Sequence, residues 1–383
     1  MIWACLSGVN MLLMQPFYIN GMRIENRIVL TAMVTRLSGE DGFVNKDIED
    51  RYLRFARGEA GLIVLEAMAV HSSKSGPLLR ISEDKYIPGL AQLVKKMHDV
   101  GPSKVVPQII HFLKISRSGW RQKVEDLKKE DIKLIIEQYG DAAARAREAG
   151  FDGVELHMAH AYTVSSFLSR RNQRKDEYGG RSLGNRARLS CEIITRCRER
   201  VGPDFPIGVR FDGEECIRRG YTIIDSREFA LKFARLGVDY ISISAGGKFE
   251  DAIPREGKPL YPYTGYSGDR CMPGDWYPDA ANLYMAEAIK RYINDRGYFT
   301  PVITTGKIGN PRLAEEILQA GKADLIGMAR PLLADPDLPK KIKEGREDEI
   351  RYCIYCNVCK ALDENFRQVV CYLWPKGSLQ APD

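Results

Sequence analysis

Two short stretches carry residues whose types and spacing could do chemistry. The first, CIYCNVCKALDENFRQVVC, runs from Cys353 to Cys371 and gathers four of the nine cysteines in a Cys-x2-Cys-x2-Cys-x11-Cys pattern. Thiolates at every third position can converge on one metal centre. Four sulfurs suit a structural zinc ion, and the short spacing equally suits an iron–sulfur cubane whose irons lie close together. The residues alone leave the two open. The second stretch, ELHMAHAY, sets His157, His160 and Tyr162 within six positions of a chain with only five histidines. Imidazole N–H groups can hold a substrate carbonyl oxygen while negative charge builds on it. A neighbouring phenol can give a proton to the carbon that receives electrons. The bland alternative is a satisfied core histidine and a loop histidine. A metal site on the pair would lack the carboxylate of a His-Glu-x-x-His pattern.

Such residues need rigid elements to hold them. β-Rich apolar runs recur at residues 27–33, 61–70, 104–110, 153–159, 206–212, 239–247, 301–306 and 324–330. Most are continuously apolar rather than alternating, as parallel strands covered on both faces require. Helical patterns intervene at 47–57, 87–101 and 129–150, and residues 310–342 read as helix, strand and helix. Glycine after several of these supplies a left-handed cap. Eight strand-and-helix units predict an α/β fold of the (β/α)8 TIM barrel type rather than an open doubly wound sheet, and such a barrel absorbs ~250 residues or more as one domain. The expected organisation is a lead-in over residues 1–14, a barrel over 15–345 and a short Cys-rich metal-binding extension over 346–383. Chemistry in barrels collects at the C-terminal strand ends. Here those ends carry Met33 and Thr35, Glu66 and Ala67, Gln108 and His111, His157 and His160, Arg210, Gly246, Gly306 and Lys307, and Arg330.

The last two strand ends read ITTGKIGNP and GMARPLL. Glycine lets the backbone approach a phosphate, and Lys307 and Arg330 supply counter-charge where barrels often bind one. No Gly-x-Gly-x-x-Gly fingerprint follows a strand, so a Rossmann-type dinucleotide site is not indicated. The stretches QPFYINGMRIENRIVLTAM, EAGLIVLEAMAV, ELHMAHAYTVSSFLSRRNQRKDEYGGRSLGNRARL and ADLIGMARPLLADPDLP closely resemble the old yellow enzyme family of FMN-dependent oxidoreductases over about residues 12–345. The resemblance implies that Gln108 bonds the pyrimidine edge of FMN and that Arg210 lies near its N1 and O2. It also implies that Ala67 and the Met33 backbone touch the ring, and that Gly306, Lys307, Ala329 and Arg330 surround the phosphate. An arginine in that place has a physical reason, because reduced flavin carries negative charge near N1.

The chain departs from the family at Ala32, where proline is usual, and at Val34, where a Thr, Cys or His side chain usually touches the flavin. Val34 cannot donate a hydrogen bond, so a lowered flavin potential is expected, with Thr35 the nearest partial substitute. The iron–sulfur branch of the family, which includes trimethylamine dehydrogenase and bacterial 2,4-dienoyl-CoA reductase, carries a similar cysteine run after its barrel. That resemblance implies a [4Fe–4S] cluster on Cys353, Cys356, Cys359 and Cys371.

Other features bound the function. The 383 residues carry a formal charge of +6 without a dense Lys/Arg block, so nucleic acid is not an expected partner. No apolar run approaches the ~20 residues that cross a bilayer, and the start lacks a secretory pattern. A reducing, cytoplasmic setting is therefore expected, in which disulfides are a poor use of cysteine. Cys5, Cys191, Cys197, Cys216 and Cys271 stand apart and read as core or surface thiols. The connection over 248–279 is long enough for a lid. It mixes Tyr261, Tyr263, Tyr266, Trp276 and Tyr277 with Lys248, Arg255, Lys258 and Arg270, which suits a flat unsaturated substrate on an anionic carrier.

These readings predict an FMN-dependent ene-reductase acting on an α,β-unsaturated carbonyl or a CoA thioester. His157 and His160 would hold the carbonyl oxygen and Tyr162 would protonate the α-carbon. Because the chain stops twelve residues after Cys371, whereas relatives in the iron–sulfur branch continue into nucleotide-binding domains, the expected electron donor is external: NAD(P)H, a ferredoxin or a flavoprotein subunit. An oligomer is also expected. Oxidation of an amine or acyl compound, and a non-catalytic barrel that uses zinc to hold its tail, are the alternatives.

Overall fold

The computed structural model describes residues 11–73, 76–115 and 120–382. A short hairpin comes first, β1 (Phe17–Ile19) and β2 (Met22–Ile24), turned through Asn20 and Gly21 at positive φ. Eight parallel strands follow: β3 (Ile28–Leu30), β4 (Leu62–Ala69), β5 (Lys104–Ile110), β6 (Val154–Met158), β7 (Ile207–Asp212), β8 (Tyr240–Ser244), β9 (Val302–Thr304) and β10 (Leu325–Gly327). Pairing of β10 with β3 closes the barrel. All eight expected strands are present, β5 with the expected limits and the others with tighter ones. The last stops at Gly327, so Ala329 and Arg330 open a helix instead of ending a strand.

The helices are α1 (Lys46–Ala56), α2 (Ile87–Val100), α3 (Lys129–Glu148), α4 (Thr163–Leu168), α5 (Leu183–Val201), α6 (Ile223–Arg235), α7 (Tyr266–Cys271), α8 (Leu283–Asn294), α9 (Pro311–Gln319), α10 (Ala329–Ala334), α11 (Leu338–Lys343) and α12 (Val358–Glu364). Local chemistry sets several starts. Asn45 accepts from the Ile48 N–H at α1, and Ser182 accepts from the Asn185 N–H at α5, each worth ~1 kcal/mol. No helix among the described residues is long and apolar enough to cross a membrane.

The two-residue period of a strand divides the barrel into two layers. Val29, Leu62, Val64, Val106, Tyr240, Ile303 and Leu325 form one cluster with Ile19, Met22 and Ile24 of the hairpin. Their neighbours in sequence, such as Ile28, Ile63, Val105 and Ile241, pack with the helices instead. The hairpin therefore plugs the barrel interior. Tyr240 fills that interior against Gly208, its register partner on β7. A Cβ at position 208 would lie 1.9 Å from the Tyr240 ring, so only glycine fits there.

The β4–β5 register shifts between Leu65 and Ala67. Glu66, at that irregularity, is fully buried and accepts from both the N–H and the hydroxyl of Thr35, while its own N–H donates to Tyr52. The Thr35 hydroxyl also accepts from Leu37 N–H. Thr35 is thus committed to the protein and does not substitute for the donor missing at Val34.

The extension packs onto the barrel. Arg51 of α1, only 1% exposed, donates to the carbonyls of Val369 and Leu379 and lies over the Trp374 ring. Burying a guanidinium costs several kcal/mol unless such acceptors surround it. Val369 N–H donates to Thr35 O, and Asp363 of α12 pairs with Arg36. Cys5 and the rest of the segment before Met11 lie outside the described residues.

Candidate active site

One cavity opens among the C-terminal strand ends. Met33, Val34 and Ala67 line it beside Gln108, His157, His160, Tyr162 and Arg210, and Gly306, Lys307, Ala329 and Arg330 line it beyond Arg210. All twelve residues expected for flavin binding and catalysis are therefore brought to one space. His111 is not among them; its ring bonds Thr163 and packs on His71.

Arg210 is buried, and its guanidinium donates to Ser242 Oγ at 2.8 Å and Ser244 Oγ at 3.3 Å. It has no ion-pair partner among the described residues, and neither has Arg330, which donates to Pro273 O and Asn357 Oδ1. Two buried cations that make no direct ion pair leave the cavity disposed toward an anion, although Glu155 and Asp212 lie within electrostatic reach of Arg210. Gln108 donates to Glu155 at 2.7 Å, which fixes its carboxamide at the wall. Gly306 (φ +104°) and Lys307 (φ +60°) are successive residues of positive φ. A Cβ on Gly306 would lie 2.8 Å from the Asn282 side chain, so the turn requires glycine. Lys307 and Arg330 both lie over the Tyr355 ring. Arg210 on β7, with Lys307 after β9 and Arg330 after β10, fits FMN, whose ring and phosphate are both sites of negative charge in the reduced cofactor.

Burial, with Arg210 nearby, pushes the His157 pKa down to about 3, so the ring is neutral at neutral pH. Its Nδ1 accepts from Ala159 N–H at 3.1 Å, which leaves the single ring proton on Nε2. His157 therefore offers a neutral donor at the cavity wall. Burial, followed by His157, Arg210 and Lys248, holds His160 well below the usual histidine range. Its Nε2 lies 2.9 Å from Ser244 Oγ and 3.1 Å from Cys271 Sγ, and its Nδ1 lies 3.3 Å from the Tyr263 hydroxyl. Burial raises the Tyr162 pKa to about 12, opposed by a hydrogen bond from Tyr263. Tyr162 is consequently a protonated phenol at neutral pH.

His160 has φ +61°, unusual for a non-glycine residue. A buried network holds it there. Its N–H donates to Asp212 Oδ2, and its carbonyl accepts from Lys248 Nζ, both at 2.7 Å. Lys248 also bonds Ser165 and pairs with Glu215 at 3.1 Å. This corrects the expectation for the lid cations. Lys248 is buried under the histidines, Arg255 pairs with Glu364, and Lys258 bonds Asn365, so these charges hold the protein together rather than face an anionic carrier.

A second cavity of about 600 Å³ adjoins the first and shares Val34, Ala67, Ile110 and Tyr162 with it. Phe112, Phe249, Tyr261 and Phe366 give it aromatic walls. Its size is ordinary for a small-molecule site.

Residues 12–349 match the NADH:flavin oxidoreductase / NADH oxidase family. The chain belongs to that family. That family is the old yellow enzyme type of flavin-dependent oxidoreductases. It is 36% identical over 361 residues to an NADH oxidase of Thermoanaerobacter brockii, covering 89% of this chain and 52% of that protein. Two solved structures are similar in fold. One is 2-naphthoyl-CoA reductase in complex with 2-naphthoyl-CoA (TM-score 0.81, 26% identity, 95% of this chain and 57% of the other). The other is histamine dehydrogenase from Rhizobium sp. 4-9 (TM-score 0.78, 27% identity, 95% and 52%). The chain spans about half the length of the curated relatives it matches first.

The four clustered cysteines line one small cavity beside Arg330 and Leu333. Backbone N–H groups of Tyr355 and Leu373 donate to the sulfurs of Cys353 and Cys371, both at 3.4 Å. Tyr355 and Asn357, which alternate with the first cysteines, have positive φ and curl the loop around the cavity. Among the described residues the sulfurs are not gathered at metal-ligating distance. Burial raises Cys359 to about 12, so metal loading here must displace protons from thiols. Cys359, Tyr355 and Arg330 line both this cavity and the flavin cavity.

Ser244, Cys271, Asp212 and Asp363 did not stand out in the sequence. Asp212 and Ser244 had the position of their strand ends as a signal, whereas Cys271 and Asp363 reach the site from elsewhere in the chain.

Proposed function

We propose that the protein reduces an activated carbon–carbon double bond, conjugated to a carbonyl or thioester, with NAD(P)H or a protein as electron donor. The observation that carries this reading is the pairing of a neutral His157 donor with a protonated Tyr162 at one cavity wall, their rings 5.1 Å apart. FMN, when bound, supplies the reducing equivalents to the substrate's β-carbon. Gln108 and Arg210 would hold its ring, and Gly306, Lys307, Ala329 and Arg330 its phosphate, with Met33, Val34 and Ala67 against the ring face.

His157 Nε2–H then holds the carbonyl oxygen as charge develops there. Tyr162 gives its proton to the α-carbon. His160, with protein partners at both nitrogens, orders the groups around them, a narrower role than the shared carbonyl contact expected from the sequence. The aromatic cavity takes the unsaturated substrate. Cys353, Cys356, Cys359 and Cys371 offer the donor set of a [4Fe–4S] cluster, placed against the flavin cavity through Cys359, where it would exchange single electrons with an outside partner.

Oxidation of an amine is the second reading, favoured by the likeness in fold to histamine dehydrogenase. An ammonium group would meet Arg210 and two donor side chains in this cavity, which is poor company for a cation. Turnover in D2O separates the two. With 2-cyclohexenone and NADH, the saturated ketone should form with one solvent deuterium at the α-carbon, read by mass spectrometry, and trimethylamine should not be consumed. Steady oxidation of the amine without ketone formation would reverse the assignment.

A further inference from the structure

The lid brings one residue to the proposed acid that no motif singles out. Tyr263 is buried, and its hydroxyl lies 3.3 Å from that of Tyr162 and 3.3 Å from His160 Nδ1. Space is made for it by Gly247 (φ +65°), where a Cβ would lie 2.9 Å from the Tyr263 ring and 3.2 Å from His160. Tyr261, whose hydroxyl bonds Asp363 of α12, packs edge-on against it with ring centroids 5.3 Å apart.

Donor accounting gives one order of donation that satisfies every group. Arg210 can only donate, and it donates to Ser244 Oγ. Ser244 Oγ and Cys271 Sγ are the two groups at His160 Nε2, and each carries a proton to give. In that order the one ring N–H of the neutral His160 is on Nδ1 and points to the Tyr263 oxygen. Tyr263 is left with its own O–H for Tyr162. The order of donation ends on the Tyr162 oxygen as acceptor, so the Tyr162 O–H is free for substrate.

We propose that Tyr263 is a positioning residue for proton delivery: it orients the Tyr162 hydroxyl toward the substrate and stabilises the phenolate left behind. The inference rests on Tyr162 being the acid. In the step, the Tyr162 O–H bond breaks and a C–H bond forms at the α-carbon. The electron pair remaining on the Tyr162 oxygen is met by the Tyr263 O–H, and water later restores the proton. The two electrons that reduce the double bond come from NAD(P)H.

Tyr162 faces Tyr263 and Cys271 of the lid, Arg36 after β3, Asp363 of α12, and His157 and His160. Of these, the Tyr263 bond lowers its pKa most, after burial has raised it. The test uses flavin-loaded protein pre-reduced with NADH and mixed with 2-cyclohexenone from neutral to alkaline pH. Tyr263→Phe should slow flavin reoxidation about tenfold, the worth of one such bond, and move the alkaline limb to higher pH. Flavin content and the rate of flavin reduction by NADH should stay at wild-type values. Tyr263→His, which keeps a donor, should recover part of the rate. Wild-type rate and pH profile in Tyr263→Phe, with a slowed Tyr162→Phe, would overturn the inference alone. A wild-type rate in Tyr162→Phe would instead overturn the reading beneath it.

Discussion

Arg36 and Asp363 meet in an ion pair at 2.8 Å although 327 positions separate them. Arg36 follows the first barrel strand, lies over Phe366 at 4.6 Å, and reaches Tyr261 of the lid; Asp363 accepts from the same tyrosine. One carboxylate of the Cys-rich extension thereby ties the barrel rim to the lid. Arg36, Tyr261 and Phe366 all line the aromatic cavity, so the extension forms part of the proposed substrate chamber.

Asp363 also lines the first cavity, but its partners are Arg36 and Tyr261 rather than the residues expected around FMN, so replacing it should loosen the chamber more than the flavin cradle. Asp363→Ala leaves a nearly buried Arg36 without its partner, at a cost of about 2 kcal/mol. The expected outcome is a several-fold rise in KM for an enone and a lower Tm, with flavin content unchanged. Steady-state kinetics and flavin absorbance check it, and an unaltered KM would show that the clamp does not shape the chamber.

Arg210 should decide flavin affinity. A charge-assisted hydrogen bond is worth about 1.5–3 kcal/mol, so Arg210→Gln should weaken FMN binding by about ten- to hundredfold. Quenching of FMN fluorescence during titration of flavin-stripped protein measures it. Equal affinity in the variant would remove Arg210 from the cofactor site.

The pH dependence of stability should carry the signature of Asp212. Burial raises its pKa to about 7, with Lys248 opposing. The folded protein keeps a proton that the unfolded chain has lost above about pH 4. This contribution to stability is present below that pH and disappears as pH rises to about 7, because the unfolded state binds fewer protons there. Asp212→Asn imitates the protonated form and should gain Tm relative to wild type across the same interval. A constant difference between the two Tm curves would contradict the shift.

Much of the architecture was legible because parallel strands buried on both faces must be continuously apolar, and eight such runs stood out. The limits were less so: Gly327 ends the last strand earlier than its apolar run suggested, and the run turns helical from Ala329. The plug made by Ile19, Met22 and Ile24 was hidden in a stretch too short to display a period. Within the site, residues at strand ends could be found from the barrel rule. Tyr263 and Lys248 stood out only as members of the long connection, Cys271 only as a lone thiol and Asp363 not at all, since the lid and the extension fold back from far along the chain. Thr35 misled for a related reason: its neighbour Glu66 claims its hydroxyl, a contact set by the β4 irregularity.

The metal reading has its own test. Protein purified without oxygen should contain four iron and four sulfide per flavin if the cysteine cavity binds a [4Fe–4S] cluster. Cys356→Ser should lower that iron content. One zinc per chain and no sulfide would assign the cysteines to a structural ion and end the electron-relay proposal.

The direction of electron flow at the flavin tests the central claim most directly. In an oxygen-free stopped-flow cell, protein reduced with one equivalent of NADH is mixed with 2-cyclohexenone, and oxidised protein is mixed with trimethylamine. The account predicts that the oxidised flavin spectrum returns at a rate that rises with enone concentration, and that the amine leaves the oxidised enzyme unreduced. A flavin that the enone never reoxidises, but that the amine reduces, would contradict it.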